Sequence, residues 1–435
     1  MKKKITKYLL LALACLGLQS CLFQEENYFD DSSANRATAD VNRCGELLKA
    51  APNGWVMEYY VGKDYSLGGI TLLCRFDGQR VTMASQMAEA DETVSSLYSV
   101  KSEQATMLSF DTYNYLVHYF GQPQGSMSDD PNGTLGGDYE FIISSASDER
   151  IELKGKKYGN RIVMKALSED QTWKQYLTKI KKVEDDAFFY EYDLLMDGLY
   201  TGQMLRSNYT FIVTYYDEIG KVHQKTVPFM FTADGMRFHE PVTIDGQTMQ
   251  NFVWKNEVIS FVCTDEGATG VKLAGVYTAG YQSYDYYPGT YQMDFYRLND
   301  ETKQLEVASQ EVRLLKNEDG KSYWLKGLEY DILVMYDKPR GGLFVSPQLL
   351  EKVQGGYVYL AMWDVMNDYV LRNKSIGLIS YATTNGIYLV DNGVWMGEVS
   401  GFIFGVYNSQ EEDAAFIGYT DAVASIRLVK KTIEE

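Results

Sequence analysis

The sequence predicts a mainly β protein, built of antiparallel sandwich or lipocalin-like barrel units with a few short helices in the N-terminal half. Three observations point there. Short runs rich in Tyr, Val, Ile and Phe, several alternating apolar with polar, recur along the chain. Turn residues separate them, among them Asp77-Gly78, Tyr158-Gly159-Asn160, Ala233-Asp234-Gly235 and Asn392-Gly393. No stretch alternates strands with long helices, as a parallel βαβ sheet requires.

The chain opens on a targeting segment. Lys2, Lys3, Lys4 and Lys7 precede an uncharged apolar run, Tyr8 to Leu18, of 11 residues. At 1.5 Å per residue this cannot cross ~30 Å of hydrocarbon, but it suits the apolar region of a signal peptide. Leu18-Gln19-Ser20-Cys21 follows. The small Ser20 before Cys21 fits a bacterial lipobox, where the new N-terminal cysteine carries two or three acyl chains, palmitate among them. Gln19 is uncommon at its position, and Cys15 is a rival site with only a stub of apolar residues before it. At roughly 0.8 kcal/mol per buried CH₂, several chains hold a protein on a membrane where one does not. Gln24-Glu25-Glu26 resembles the acidic surface-export signal of Bacteroidetes lipoproteins. The expected division is 1–20 signal peptide, 21–31 tether, 32–190 N-terminal α+β domain, and 191–435 C-terminal all-β region of one or two units.

Ser32 or Ser33 caps a first helix, with Ala34, Ala37, Val41, Cys44, Leu48 and Ala51 at three- and four-residue steps, closed by Pro52-Asn53-Gly54. Strands are expected at 55–61, 69–76, 80–85, 98–100 and 105–110. A short aromatic helix capped by Asp111 runs to Phe120, and a loop runs from Gly121 to Gly137. A three-strand meander at 139–144, 150–154 and 161–166 comes next. Ser168 then opens a second long helix, with acids in its first turn and Lys179, Lys181 and Lys182 in its last, as the helix dipole favours. From 209 onward almost everything reads as strand. The segments Cys74–Met83 and Phe229–Phe238 are weakly alike, either as a duplicated unit or as two hairpins of one common type.

The formal charge is −18 over 435 residues. Without the four lysines of residues 1–20, 37 bases face 59 acids. This acidity argues against nucleic acid and anionic lipid surfaces as partners. Beyond Cys15 and the acylated Cys21, Cys44, Cys74 and Cys263 remain, too few for a disulfide framework and expected as buried small hydrophobes, one disulfide being possible. Three histidines, His118, His223 and His239, form no metal-spaced cluster, and Pro241 after His239-Glu240 breaks any zinc helix. No phosphate loop, dinucleotide fingerprint or Gly-x-Ser-x-Gly elbow is present. Ser128-Asp129-Asp130-Pro131-Asn132-Gly133 has oxygen donors but lacks the distal acid of a calcium loop. Neither a catalytic residue, a metal nor a cofactor is expected.

The acids after Cys21, the helix from Ser33 to Ala51, and four later stretches together resemble a domain-of-unknown-function family of Bacteroidetes surface lipoproteins. Those stretches are Pro52-Asn53-Gly54-Trp55-Val56-Met57-Glu58-Tyr59-Tyr60, Phe110-Asp111-Thr112-Tyr113-Asn114, Gly137-Asp138-Tyr139-Glu140-Phe141 and Leu153-Lys154-Gly155-Lys156-Lys157-Tyr158-Gly159-Asn160. The resemblance covers the first half well and the second only in character. It implies a setting beside SusC/SusD-like uptake systems, not a reaction, and transfers no functional residue beyond Cys21.

The expected function is therefore an accessory ligand-binding lipoprotein on the outer face of the outer membrane, serving glycan or peptide uptake with a SusC/SusD-like transporter as partner. Tyrosine is over-represented, with 35 residues, and Tyr281 to Tyr296 is the densest aromatic segment. Tyr281, Tyr284, Tyr286, Tyr287 and Tyr291 are the candidate stacking residues. The alternatives are a purely structural or protein-interaction subunit and, with paired carboxylates, an extracytoplasmic hydrolase.

Overall fold

The computed structural model describes residues 32–123, 133–217, 219–411 and 413–431. Cys21 and Gln24-Glu25-Glu26 lie outside the described residues, as does the oxygen-rich loop up to Asn132. A helix, α1 (Ser33–Ala50), comes first, capped by Ser32, whose hydroxyl accepts from Asn35 N. Leu48 and Ala51 enter the core of the unit that follows.

That unit is a closed antiparallel barrel of eight strands: β1 (Trp55–Val61), β2 (Gly68–Phe76), β3 (Arg80–Ser85), β4 (Val94–Ser102), β5 (Thr106–Phe110), β6 (Glu140–Ala146), β7 (Arg150–Gly155) and β8 (Arg161–Ala166). Each strand pairs with the next, and β8 returns to β1 with Trp55 opposite Ala166. Trp55, Met57, Tyr59, Leu72, Cys74, Phe110, Phe141 and Leu153 fill its interior. Eight strands leave just enough room for such side chains, so this barrel is packed where a lipocalin is hollow.

Between β5 and β6 lies α2 (Tyr115–His118), shorter than the helix expected from Asp111 to Phe120. Asp111 N still donates to Leu97 O, so the cap passes to Asn114, whose side chain accepts from Leu116 N. The second long helix, α3 (Trp173–Asp186), also starts later than expected. The Asn53 amide donates to the carbonyls of Ser168 and Gln171 and holds that segment as a turn. Thr172 and Gln175 then form a capping box. The expected lysine-rich last turn is instead Glu184-Asp185-Asp186, unfavourable for the dipole. Outside partners offset it: Asp186 meets Lys182 at 2.8 Å, Asp185 meets Lys338 at 2.8 Å, and Glu184 accepts from the Tyr209 hydroxyl at 2.8 Å.

A second closed barrel follows: β9 (Glu191–Met196), β10 (Leu199–Ser207), β11 (Thr210–Tyr216), β12 (Val222–Phe231), β13 (Gly235–Ile244), β14 (Gln247–Lys255), β15 (Ser260–Cys263) and β16 (Val271–Val276). Tyr192, Phe211, Phe229, Phe231, Phe238 and Phe261 pack its interior, with Phe211 stacked on Phe229 at 4.4 Å. The two alike hairpins are β2–β3 and β12–β13, which occupy different ordinal places in their barrels.

Twelve strands, β17 to β28, span Gly289 to Lys430. Eight of them, β17 (Gly289–Leu298), β18 (Leu305–Lys316), β19 (Ser322–Lys326), β20 (Ile332–Asp337), β21 (Gly342–Val345), β25 (Leu378–Thr383), β26 (Gly386–Asp391) and β28 (Phe416–Lys430), also close into a ring in that order, because β17 pairs with both β18 and β28. The other four make a wing. At Ser425, in the left-handed region with φ 53°, β28 changes neighbour. Leu428 and Arg427 pair with β26 (Gly386–Asp391), while Ala424 to Phe416 pair with β27 (Gly401–Tyr407). Cys44, Cys74 and Cys263 are free and buried.

The two barrels share a core. In β1 every residue is buried, although a barrel strand needs only its inward face covered. The outward Val56, with Leu73 and Ala84, packs against Leu177, Ile180 and Val183 of α3 and the core of the second barrel. Each fully buried aliphatic side chain contributes roughly 1.5–3 kcal/mol. Close backbone approach completes the seam: Gly68 has φ +70°, and a Cβ there would lie 2.1 Å from Tyr209 O. Gly198, with φ +84°, has nothing within 4 Å of such a Cβ. Gly68→Ala is thus expected to destabilise the protein by well over the about 1 kcal/mol that Gly198→Ala costs through backbone conformation alone. Urea midpoints at unchanged slope check the comparison.

Candidate functional site

The tyrosines proposed as a stacking surface are mostly structural. Tyr291 and Tyr287 are 0% and 1% exposed. Their hydroxyls donate to Tyr287 O at 2.5 Å and Gly341 O at 2.8 Å. Tyr284 lies flat on Tyr323, ring centroids 4.6 Å apart, and donates to Ser322 O. Tyr281 packs against Tyr277 at 4.5 Å and Phe188 at 6.0 Å, and its hydroxyl accepts from Tyr336. Of the five, Tyr286 is the exposed one, edge-on to Tyr287 and with Lys430 over its ring. Aromatic density here marks core, because a tyrosine buries its ring and satisfies its hydroxyl on the backbone.

With the barrels filled, the polar groups left without partners are the better guide to a site. An opening of about 510 Å³ lies among α3, β10 and the third unit. Its main charges are tied down. Arg206 donates to Ala187 O and Asn208 O, and Lys338 donates to Asp185.

A cleft of about 320 Å³ between the two barrels is different. Glu58, Tyr60, Arg150, Arg161, Val163, Arg237, His239, Glu240 and Gln250 line it. Glu58 and Tyr60 are outward residues of β1, placed there by period-two alternation, since Met57, Tyr59 and Val61 turn inward. Arg237 and His239 come from β13. Glu58, 8% exposed, accepts from Lys165 of β8 at 2.8 Å and from Arg237 of the second barrel. A buried carboxylate needs such partners, because desolvation alone costs several kcal/mol.

Two donors at the floor are poorly satisfied. Among the described residues, the Tyr60 hydroxyl and Arg237 Nε are buried without a well-formed hydrogen bond, and the two side chains meet each other only at imperfect geometry. Tyr60 is 3% exposed, and burial raises its pKa, so it stays protonated. Burial also works against the charge of Arg237, but Glu58 and Tyr60 outweigh it and raise its pKa. The His239 ring sits 4.3 Å from Tyr60 and 4.0 Å from Tyr65. Burial lowers its pKa below 6.5; Glu240 opposes this, and Arg237 and Arg161 reinforce it. At the mouth, Arg150 donates to Glu152 at 3.1 Å and Arg161 lies 3.9 Å from the same carboxylate. Among the described residues no group of three or more His, Cys, Asp or Glu is placed to hold a metal.

None of these side chains was singled out from sequence as a site residue. The signal for Glu58 was present: it is the one charge in Trp55–Val61. Its partner on β13 had no sequence signal.

Two stability outcomes follow. Tyr60→Phe removes a buried hydroxyl whose one neighbour, Arg237, it meets at poor geometry, and is expected to change stability by no more than about 1 kcal/mol in either direction, read as a shifted melting midpoint. For His239, the folded pKa is depressed, so its neutral form is favoured by folding. Stability is therefore full above pH 6.5 and falls as pH drops through the unfolded value toward the folded one. His118 is lowered in the same direction, also mainly by burial. The difference between wild type and His239→Gln in midpoint against pH, from about 7.5 to about 5, isolates the His239 share. An unchanged slope in the variant contradicts it.

Residues 25–256 match the family model described as a domain of unknown function (DUF4302), and residues 264–404 match a second described as a domain of unknown function (DUF4987). The gap between the matches falls within the second barrel, before its closing strand β16. No curated protein matches the chain. The solved structure described as "The Structure of Intact Ap-TbpB (N and C lobes)" is 11% identical and covers 84% of this chain and 68% of its own. Its TM-score of 0.15 is too low to carry any argument. Because the first match takes in more than half of the 435 residues, the chain belongs to the DUF4302 family of unknown function.

Proposed function

We propose that this protein is a lipid-anchored binding protein on the outer face of the outer membrane, an accessory to a nutrient-uptake transporter of the SusC/SusD-like kind, which holds a glycan or peptide ligand in the cleft between its barrels. The observation that carries the reading is a cleft lined by Arg150, Arg161 and Arg237, with the Tyr60 hydroxyl and Arg237 Nε poorly satisfied beneath it, in a molecule whose barrels are filled. A buried donor without a well-formed hydrogen bond costs up to about 1–3 kcal/mol, and a bound ligand that supplies acceptors recovers it. The anchor is supported by the lipobox at Cys21 and the acids that follow.

The same geometry favours binding over hydrolysis. Both oxygens of Glu58 are committed to Lys165 and Arg237, which leaves neither of them to reach a substrate.

A second reading, a subunit that contacts only protein, has one observation behind it. Met366, Tyr369, Val394 and Met396 are exposed together where two loops meet, with Tyr369 5.7 Å from Trp395.

Screening the purified chain against saccharide and peptide panels separates the two readings. Capture of a ligand that weakens about tenfold in Tyr60→Phe supports the cleft, and capture indifferent to that change removes it. In cells, Cys21→Ser is expected to move the protein from the membrane to the soluble fraction. Retention on the membrane would show that the lipid is not what holds it.

A further inference from the structure

We propose that the cleft between the barrels selects an acidic saccharide, whose anionic group (a uronate carboxylate or a sulfate ester) seats on Arg237 between Arg150 and Arg161. This rests on the cleft being the ligand site and adds the class of ligand.

Donor supply is the first argument. Arg150, Arg161 and Arg237 each carry five N–H donors in a planar fork. Among the described residues, their partners are few: Arg237 donates to Glu58 and meets the Tyr60 hydroxyl at imperfect geometry, Arg150 donates to Glu152, and Arg161 lies 3.9 Å from the same Glu152. Both Glu58 oxygens are already in use, by Lys165 and Arg237. The Tyr60 hydroxyl and Arg237 Nε, poorly satisfied by each other, lie at the same floor. A small turn of the Arg237 side chain, which is 21% exposed, brings its free donors to an oxyanion on that floor. Planar oxyanions match a guanidinium bidentately, and such charge-assisted bonds are roughly twice as strong as neutral ones.

The remaining lining argues for a sugar as the carrier. Val163 is its one aliphatic residue, so there is little apolar wall to take the side chains of a peptide. Exposed Glu240, a pure acceptor, suits the hydroxyl donors of a polyol. At about 320 Å³, the space lies at the small end of the roughly 300–1,000 Å³ range of small-molecule sites, suited to one or two sugar rings. Neutral His239 adds no charge of its own.

The test is calorimetric titration of the full protein with four probes: trigalacturonate, a chondroitin sulfate disaccharide, maltotriose and a triglutamate peptide. Trigalacturonate, the sulfated disaccharide, or both should bind, and the stronger of the two identifies the oxyanion. Maltotriose should not bind. Arg161→Gln and Arg150→Gln, both at exposed positions, should each weaken binding about tenfold or more with an unchanged melting midpoint. Arg237→Gln should abolish binding, but it also strips Glu58 of a partner, so the two mouth variants carry the test if it fails to fold. Maltotriose binding as well as the acidic probes, with sensitivity to Tyr60→Phe, would overturn the acidic class while the binding-protein reading stands. Preference for triglutamate would overturn the saccharide. Acidic saccharide binding that ignores both mouth variants would overturn the site. Silence from all four probes would overturn the class, and if the wider panels are also silent the binding reading falls with it.

Discussion

Burial of β1 on both faces is the constraint from which the rest of the double barrel follows. Trp55, Met57, Tyr59 and Val61 are part of the core of one barrel, and Val56, Glu58 and Tyr60 form the seat for the next. A strand so placed can carry a charge only if both sides contribute to neutralising it. Glu58 meets that condition with Lys165 from its own barrel and Arg237 from the other. The pair therefore acts as a register pin: sliding the second barrel would leave a carboxylate and a guanidinium buried apart, at a cost of about 3–5 kcal/mol. Helix α3 does the apolar part of the same work, and the close approach at Gly68 leaves no room for a looser fit. The cleft is what remains where this seam widens.

The stretches that carried the family resemblance are the barrel's own fastenings. Trp55 Nε1 donates to Leu48 O and ties α1 to the first strand. The Tyr59 hydroxyl donates to Asp138 O across the barrel. The Asp138 carboxylate accepts from Lys157 N and Tyr158 N, and burial still leaves its pKa raised. The Asn160 amide lies within 3.4 Å of the carbonyls of Tyr60, Gly62 and Gly136. These residues sit at strand ends where backbone groups would otherwise be buried unpaired. Glu58 and Tyr60, in the first of these stretches, are the exception that also lines the cleft; most of the signature marks how the chain closes. That is consistent with a family recognised by sequence while its activity is unknown.

What could be read in the sequence was local. Hairpins at Asp77-Gly78 and Ala233-Asp234-Gly235 follow from turn chemistry, and α1 from its cap and spacing. The start of α3 was misplaced because Ser168 is a good cap in isolation. The carbonyls that Asn53 engages from over a hundred residues away decide the matter. Ring closure by β17 and β28 lies beyond local pattern for the same reason, since the partners are separated by most of the third unit. The tyrosines of 281–291 misled in a different way. Composition counts aromatic rings but does not report whether a hydroxyl reaches a backbone carbonyl, and that decides between core and surface. The seam was hidden because period-two alternation assigns the outer face of a strand to water. Only the unbroken apolar character of Trp55–Val61, interrupted by one glutamate, hinted that this strand faces protein twice.

Electrostatics sets the last condition on the site. With 41 basic and 59 acidic side chains, the molecule as a whole repels anions. In the cleft, Lys165, Arg150, Arg161 and Arg237 face Glu58, Glu152 and Glu240, a local excess of one positive charge. At physiological salt the Debye length is about 8 Å. The general negative charge is therefore screened before it reaches a ligand already in the cleft, while the guanidinium contacts act at hydrogen-bond range with little screening. Long-range steering is weak or adverse for an acidic ligand, so selectivity must come from contact. For the proposed ligand, this places the discrimination on a few arginine donors instead of on net charge.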